Sequence, residues 1–405
     1  MTYRSRPAPR SPAGNAGLGC LLLLVGAGLV FLVCVAVAPY YSTQVWWSLR
    51  QNMFWLVPLI VVLLLAIVAG AMLEHSPSAS GGMWLLTAGL FIASICFWVS
   101  HSYLENSYYA GSVRVTTDPV APLAPRPPFN VSEQQVRPNL GDINGDTQKT
   151  MYLPDQQVFT TPVEYRGVFT GYQTLLVQHI TDTGRNTPQL CRFGPTSDRR
   201  FGGLFSHSLA RLINTQQRFV NWDSGDVYGY CDAQGHPRIV VPLKEQDGWL
   251  VVVERPAGLA VYDGQTGKLS ITTDPQEIAK IPGPTYPLSL ASYQRGSLGA
   301  IHGFWDWMWS RAGWELPDDI DAINSGNTSE FVVATAGDRP QPHYTNLLTG
   351  RGSATAVSAI SLVNARLART DQLAPLVVHR TNPNWLSTAA IRDRIHADFG
   401  DVFRD

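Results

Sequence analysis

Lysine is nearly missing from this chain: Lys149, Lys244, Lys268 and Lys280 are the four present, and every other basic side chain is arginine. With 30 basic against 31 acidic residues the formal net charge is −1, so no global positive field exists to recruit nucleic acid. Cysteine is sparse as well, five in 405 residues, and no Cys-x-x-Cys or His-Glu-x-x-His occurs. The nine histidines lack the close spacing of zinc ligands, so no metal or cofactor set is expected. No Gly-x-Ser-x-Gly turn is present, since Gly296-Ser297-Leu298-Gly299 falls one residue short of it. Thr266-Gly267-Lys268-Leu269 lacks the glycine-rich loop and the hydroxyl of a phosphate-binding loop.

What the sequence has in quantity is apolar length at one end. Three runs, Leu18 to Ala38, Met53 to Leu73 and Met83 to Val99, contain no Asp, Glu, Lys or Arg. A bilayer core about 30 Å thick needs roughly 20 apolar helical residues, which the first two runs supply. The third is shorter, but Trp98, Tyr103, Tyr108 and Tyr109 flank it as an interfacial aromatic belt would. The absence of intramembrane charge argues against an ion or proton path through this anchor. Gly26, Gly28, Ala66 and Gly70 are small enough to let helices approach.

Arg4, Arg6 and Arg10 in the tail place the N-terminus in the cytoplasm by the positive-inside tendency, and three spans then put the large domain outside. Ala36-Val37-Ala38 imitates a signal-peptide cleavage site, but Pro39 follows it, which favours an uncleaved anchor. The expected organisation is a basic tail (1–17), three transmembrane helices (18–104), a Pro-rich linker (105–140) and two α+β units (141–280 and 281–405). The expected location is a bacterial plasma membrane. Cys191 and Cys231 are the two cysteines of the large domain, and in an oxidising compartment they can pair.

The large domain alternates helical and strand patterns. Apolar residues recur at helical spacing from Leu204 to Phe219. Strands are expected at Val227–Cys231, Ile239–Leu243, Trp249–Val253, Leu259–Tyr262 and Leu269–Ile271. Their separators, Gln234-Gly235, Asp247-Gly248, Arg255-Pro256 and Asp263-Gly264, are turn dipeptides. A helix packed on an antiparallel meander satisfies that order. A looser repeat follows, with a helical stretch at Tyr286–Trp309, further strands, and a last helix through Ile391, Ile395 and Phe399.

From Gly203 onward, about 70 residues with Gly248-Trp249 and the segment Val261-Tyr262-Asp263-Gly264-Gln265-Thr266-Gly267-Lys268 resemble PepSY-type extracytoplasmic domains. That resemblance implies a helix-on-sheet domain used for protein contact or regulation outside the membrane. The order of anchor and tandem units is also similar in outline to the nuclear-transport-factor-like assembly proteins of conjugative secretion systems.

Several constellations invite a chemical reading. Asp142, Asn144 and Asp146 occupy the first ligand positions of a calcium loop, but Thr147 and Leu153 stand where Gly and a closing acid belong. Trp305, Trp307, Trp309 and Trp314 suit a core, a bilayer surface or a protein or glycan partner. Arg192, Arg199, Arg200, Arg211 and Arg218 form the densest basic stretch of the domain. Ser297 with His302 and Asp306 would form a hydrolase site if folding brought them together. The resulting expectation is a non-enzymatic envelope protein for interaction, sensing or assembly. Its partners would be the lipid bilayer and an envelope protein or a second copy of itself. The alternatives are an envelope hydrolase and an accessory subunit of a membrane secretion or conjugation complex.

Overall fold

A computed structural model describes residues 13–73, 77–124, 132, 136, 140–141, 143–179, 188–317, 331–336, 340–352 and 354–399. Helices come first: α1 (Ala13–Val37), α2 (Pro39–Gln51), α3 (Met53–Leu73) and α4 (Pro77–Ala110). Met53–Gly70 and Gly81–Ala110 are long and apolar enough to cross a membrane, and Val25–Val37 adds a shorter apolar stretch. Their side chains face outward along most of their length, the reverse of a soluble core helix. Between α1 and α3 the composition changes to Tyr, Ser, Thr, Gln and Trp, and α2 starts with Pro39 in the first turn, where a missing N–H costs nothing.

The hairpin of α3 and α4 is tied near one end. Trp98 Nε1 donates to the Phe54 carbonyl at 3.2 Å, and the Phe54 ring stacks on His101 at 3.9 Å. The 34 residues of α4 extend about 51 Å, well beyond an apolar bilayer core of about 30 Å. Its last turns therefore belong to the large domain. Two residues later β1 (Val113–Thr116) begins. The described part of the Pro-rich segment then runs along the domain, with Ala124 N–H donating to Ala334 O and Ala336 N–H to Pro122 O.

Three sheets make up the domain. The first is antiparallel: β2 (Gly145–Thr147), β3 (Met151–Leu153), β4 (Val158–Tyr165), β5 (Tyr172–Gln178) and β6 (Gln189–Arg192), ordered β2-β4-β5-β6 with β3 also on β4. Next comes α5 (Leu209–Gln216), then the meander β7 (Tyr228–Cys231), β8 (Pro237–Asp247), β9 (Val253–Asp263) and β10 (Leu269–Thr272). Short helices α6 (Pro275–Ile278), α7 (Leu288–Gly296) and α8 (Phe304–Met308) lead to the third sheet. It contains β11 (Trp314–Glu315), β12 (Phe331–Ala334), β13 (Pro342–Gly350), β14 (Val357–Asn364) and β15 (Leu376–Trp385), ordered β1-β15-β14-β13-β11 with β12 on β13. Strand β1 joins β15 in parallel, so the segment leaving α4 is sewn to nearly the far end of the chain. Helix α9 (Thr388–Phe399) follows.

The helix-on-meander expectation corresponds to α5, whose Leu209 and Ile213 pack with Ile239, Val241 and Tyr262. The helix is shorter than the Leu204–Phe219 periodicity suggests. Phe205 has φ of 52°, and Ser208 caps α5 by accepting from the Arg211 N–H. The strands expected at Trp249–Val253 and Leu259–Tyr262 also differ. Residues 249–252 form the hairpin connection, and Arg255-Pro256 is no turn: it lies inside β9, where the register with β8 shifts beside Lys244. A bulge is where a strand tolerates proline.

One cluster of buried side chains draws on all three sheets, from Leu153 and Leu175 through Tyr228 and Leu259 to Tyr344, Val363 and Leu376. It continues unbroken across residues 280–281 through Ile278, Ile281 and Tyr286. Cys191 on β6 and Cys231 on β7 are disulfide-bonded, with Cα atoms 6.3 Å apart, linking the first sheet to the meander.

Candidate functional site

The seam between the apolar helices and the sheets concentrates the polar chemistry. Helix α2 lies directly on the domain: Trp47 Nε1 donates to Phe219 O at 3.1 Å, and the Phe219 N–H donates to Thr43 Oγ1 at 3.3 Å. Gln246 Nε2 donates to Trp47 O, and the Arg50 guanidinium donates to the carbonyls of Gln246 and Gly248. From the other side, the Glu254 N–H donates to Tyr109 Oη at 2.8 Å, and the Tyr109 ring stacks on Tyr293. Both strands of the β8–β9 hairpin are therefore gripped at its loop end by helices of the N-terminal segment.

Beneath this seam Lys244 and Glu254 form a buried ion pair at 2.6 Å, with Lys244 Nζ also 5.6 Å from the centre of the Tyr293 ring. Burial pulls the Lys244 ammonium down, but the Glu254 carboxylate beside it outweighs that and holds it above its usual value. Nearby, Asp226 accepts from Ser289 N–H and Ser289 Oγ at the start of α7. Burial raises its carboxyl to about 6 against the lowering effect of Ser289 and Lys244. Such pairs are costly to open, so the seam is held rigidly.

The tryptophans divide. Trp314 is 8% exposed and belongs to the core, whereas Trp305 and Trp309 are 65% and 61% exposed. Phe304 and Trp307 of the same helix touch the Tyr103 ring at 5.2 and 5.7 Å, so α8 sits beside α4 just past its apolar run. Trp249, 74% exposed, occupies the β8–β9 loop that Arg50 grips through Gly248. The turn signalled by Asp247-Gly248 extends through Trp249, where the sequence pattern predicts the start of a strand.

The arginine stretch is dispersed. Arg200 pairs with the buried Glu164, Arg199 donates to Ser206 O, and Arg211 lies over the Tyr41 ring of α2. Arg192 and Arg218 are exposed. In the calcium-loop segment Asp142 lies outside the described residues, and Asp146 pairs with Arg166 at 3.2 Å. The hydrolase arrangement is not assembled: Ser297 is buried, its proton shared between Asn106 Oδ1 and Tyr293 O. His302 is exposed.

His302 instead lines two adjoining hollows. One, about 440 Å³, lies between Tyr103 and Ser107 of α4 and the Ala300–Gly303 turn. The other is a cleft of about 730 Å³ across one end of the strands of the third sheet, lined by Trp314, Ser358, Arg380, Asn382 and Asn384 among others. They share Val115 and His302. Comparison of the chain with protein-family models, curated proteins and solved structures gave no match.

Proposed function

We propose that the chain is an integral protein of the bacterial plasma membrane. It has three spans, a cytoplasmic N-terminus and an extracytoplasmic α+β domain that serves interaction, sensing or assembly without catalysis. The observation that carries this reading is the docking of α2. Because α2 and the end of α4 both rest on the domain, the end of α1, the start of α3 and the end of α4 lie on its side. The N-terminus and the α3–α4 turn then fall on the other side, which is the cytoplasmic one by the arginines of the tail. The Cys191–Cys231 disulfide suits an oxidising compartment, and Trp249, Trp305 and Trp309 suit the headgroup level.

The test is protease treatment of intact spheroplasts carrying the full chain with different tags at its two ends. The C-terminal tag is expected to disappear while the N-terminal tag survives until the membrane is opened. Survival of the C-terminal tag in intact spheroplasts would refute the orientation.

A further inference from the structure

The two adjoining hollows meet at Val115 and His302. At the α4 end the walls are Tyr103, Ala110, Val113 and Ile301, and the Tyr103 ring belongs to the helix four residues beyond the run ending at Val99. At the far end stand Arg380, Ser358, Asn382 and Asn384. None of the residues lining either hollow is acidic. The Arg380 guanidinium lies 5.6 Å from the Trp314 ring centre, which fixes one face, and among the described residues it has no carboxylate partner. Ser358 Oγ is buried in the cleft wall without a hydrogen-bond partner. A buried hydroxyl left unpaired carries a desolvation cost that a bound oxygen would remove.

The geometry points to a binding site for a phosphate-bearing amphiphile, with its phosphate oxygens at Arg380 and its apolar portion against Val115, Ala312 and Trp314 of the same cleft. The planar guanidinium fork matches phosphate oxygens, and the amide groups of Asn382 and Asn384 and the Ser358 hydroxyl supply further donors. This site rests on α4 entering the bilayer, which brings the open end of the groove to headgroup level. The same phosphate chemistry occurs in a membrane lipid and in free phosphate, and the apolar walls of the cleft favour the lipid.

The experiment uses the full chain in dodecyl maltoside micelles and native mass spectrometry. Dioctanoyl phosphatidylglycerol, dioctanoylglycerol and inorganic phosphate are added separately. Saturable retention of the phosphatidylglycerol is expected, with none of the phosphate-free lipid, and Arg380→Ala should weaken it about tenfold, the scale of one charge-assisted contact. Asn384→Ala, at an exposed strand end, serves as a second variant should Arg380→Ala disturb the fold, and weaker retention is expected there too. Equal retention of dioctanoylglycerol would overturn the phosphate assignment. Binding of inorganic phosphate as tight as that of the lipid would overturn the amphiphile. Unchanged binding in a folded Arg380→Ala protein would overturn the site. None of these readouts depends on which side of the membrane the domain occupies, so failure here is distinct from failure of the spheroplast test.

Discussion

Lys244 and Glu254 are a pair in which each partner makes the other's burial tolerable. Lys244→Met removes the cation and strands a carboxylate, so it should cost roughly 3–5 kcal/mol. Replacing both with apolar residues should cost clearly less, and thermal unfolding of the full chain in micelles measures both. Asp226 behaves differently because its folded pKa, about 6, lies above its ordinary 3.8. Across that window the folded chain holds a proton that the unfolded chain has released. Its contribution to stability therefore falls as pH rises from about 4 to 6 and is level above. Relative to Asp226→Asn, the wild-type protein should lose roughly 2 kcal/mol between pH 4 and pH 7. An unfolding difference independent of pH would contradict this. None of these buried groups was legible in the sequence. No sequence pattern singles out Lys244, Glu254 and Asp226, which are buried by the closing of the meander and α7 around them.

Among the elements, the apolar runs and the turn dipeptides were readable because their signals are local. Gly235 and Gly248 do adopt positive φ, at 80° and 82°. Pro256 misled for the opposite reason: its conformation is decided by a bulge opposite Lys244, a partner twelve residues away. Helix α2 was invisible, since its thirteen residues have neither a long apolar run nor a core of their own, and its seat is formed near Phe219 and Gln246. Arg50→Ala should loosen that seat, raising hydrogen exchange of the α2 amides several-fold while the β8–β9 ladder stays protected. The disulfide closes a separation of 40 residues, so Cys191→Ser should cost about 4 kcal/mol in the chain-entropy account. Dithiothreitol should lower the unfolding midpoint of the wild-type protein in the same direction.

At the scale of the whole molecule, the proposed sidedness rests on the seat of α2 against the domain. Ser48 on α2 is exposed and faces away from the helix's buried Thr43 and Trp47. In a protein lacking Cys20, Cys34 and Cys96, Ser48→Cys should react with an impermeant maleimide added to intact spheroplasts, at a rate like that of cysteines placed in the domain. Protection until lysis would contradict the placement of α2 beside the domain. The expected division at residue 280 has no counterpart in the packing, because Ile278, Ile281 and Tyr286 join the same buried cluster as the sheets on either side.

The seating of α2 also means that the molecule has no clean line along which to be cut. Deleting everything before residue 105 would take away Thr43, Trp47 and Arg50, baring the Phe219 backbone, the Gln246 side chain and the carbonyl at Gly248 that they now satisfy. A fragment of that kind would carry a raw, adhesive scar where the membrane portion had been. Its clumping in solution would then be a wound of the cut and no sign of a natural partner.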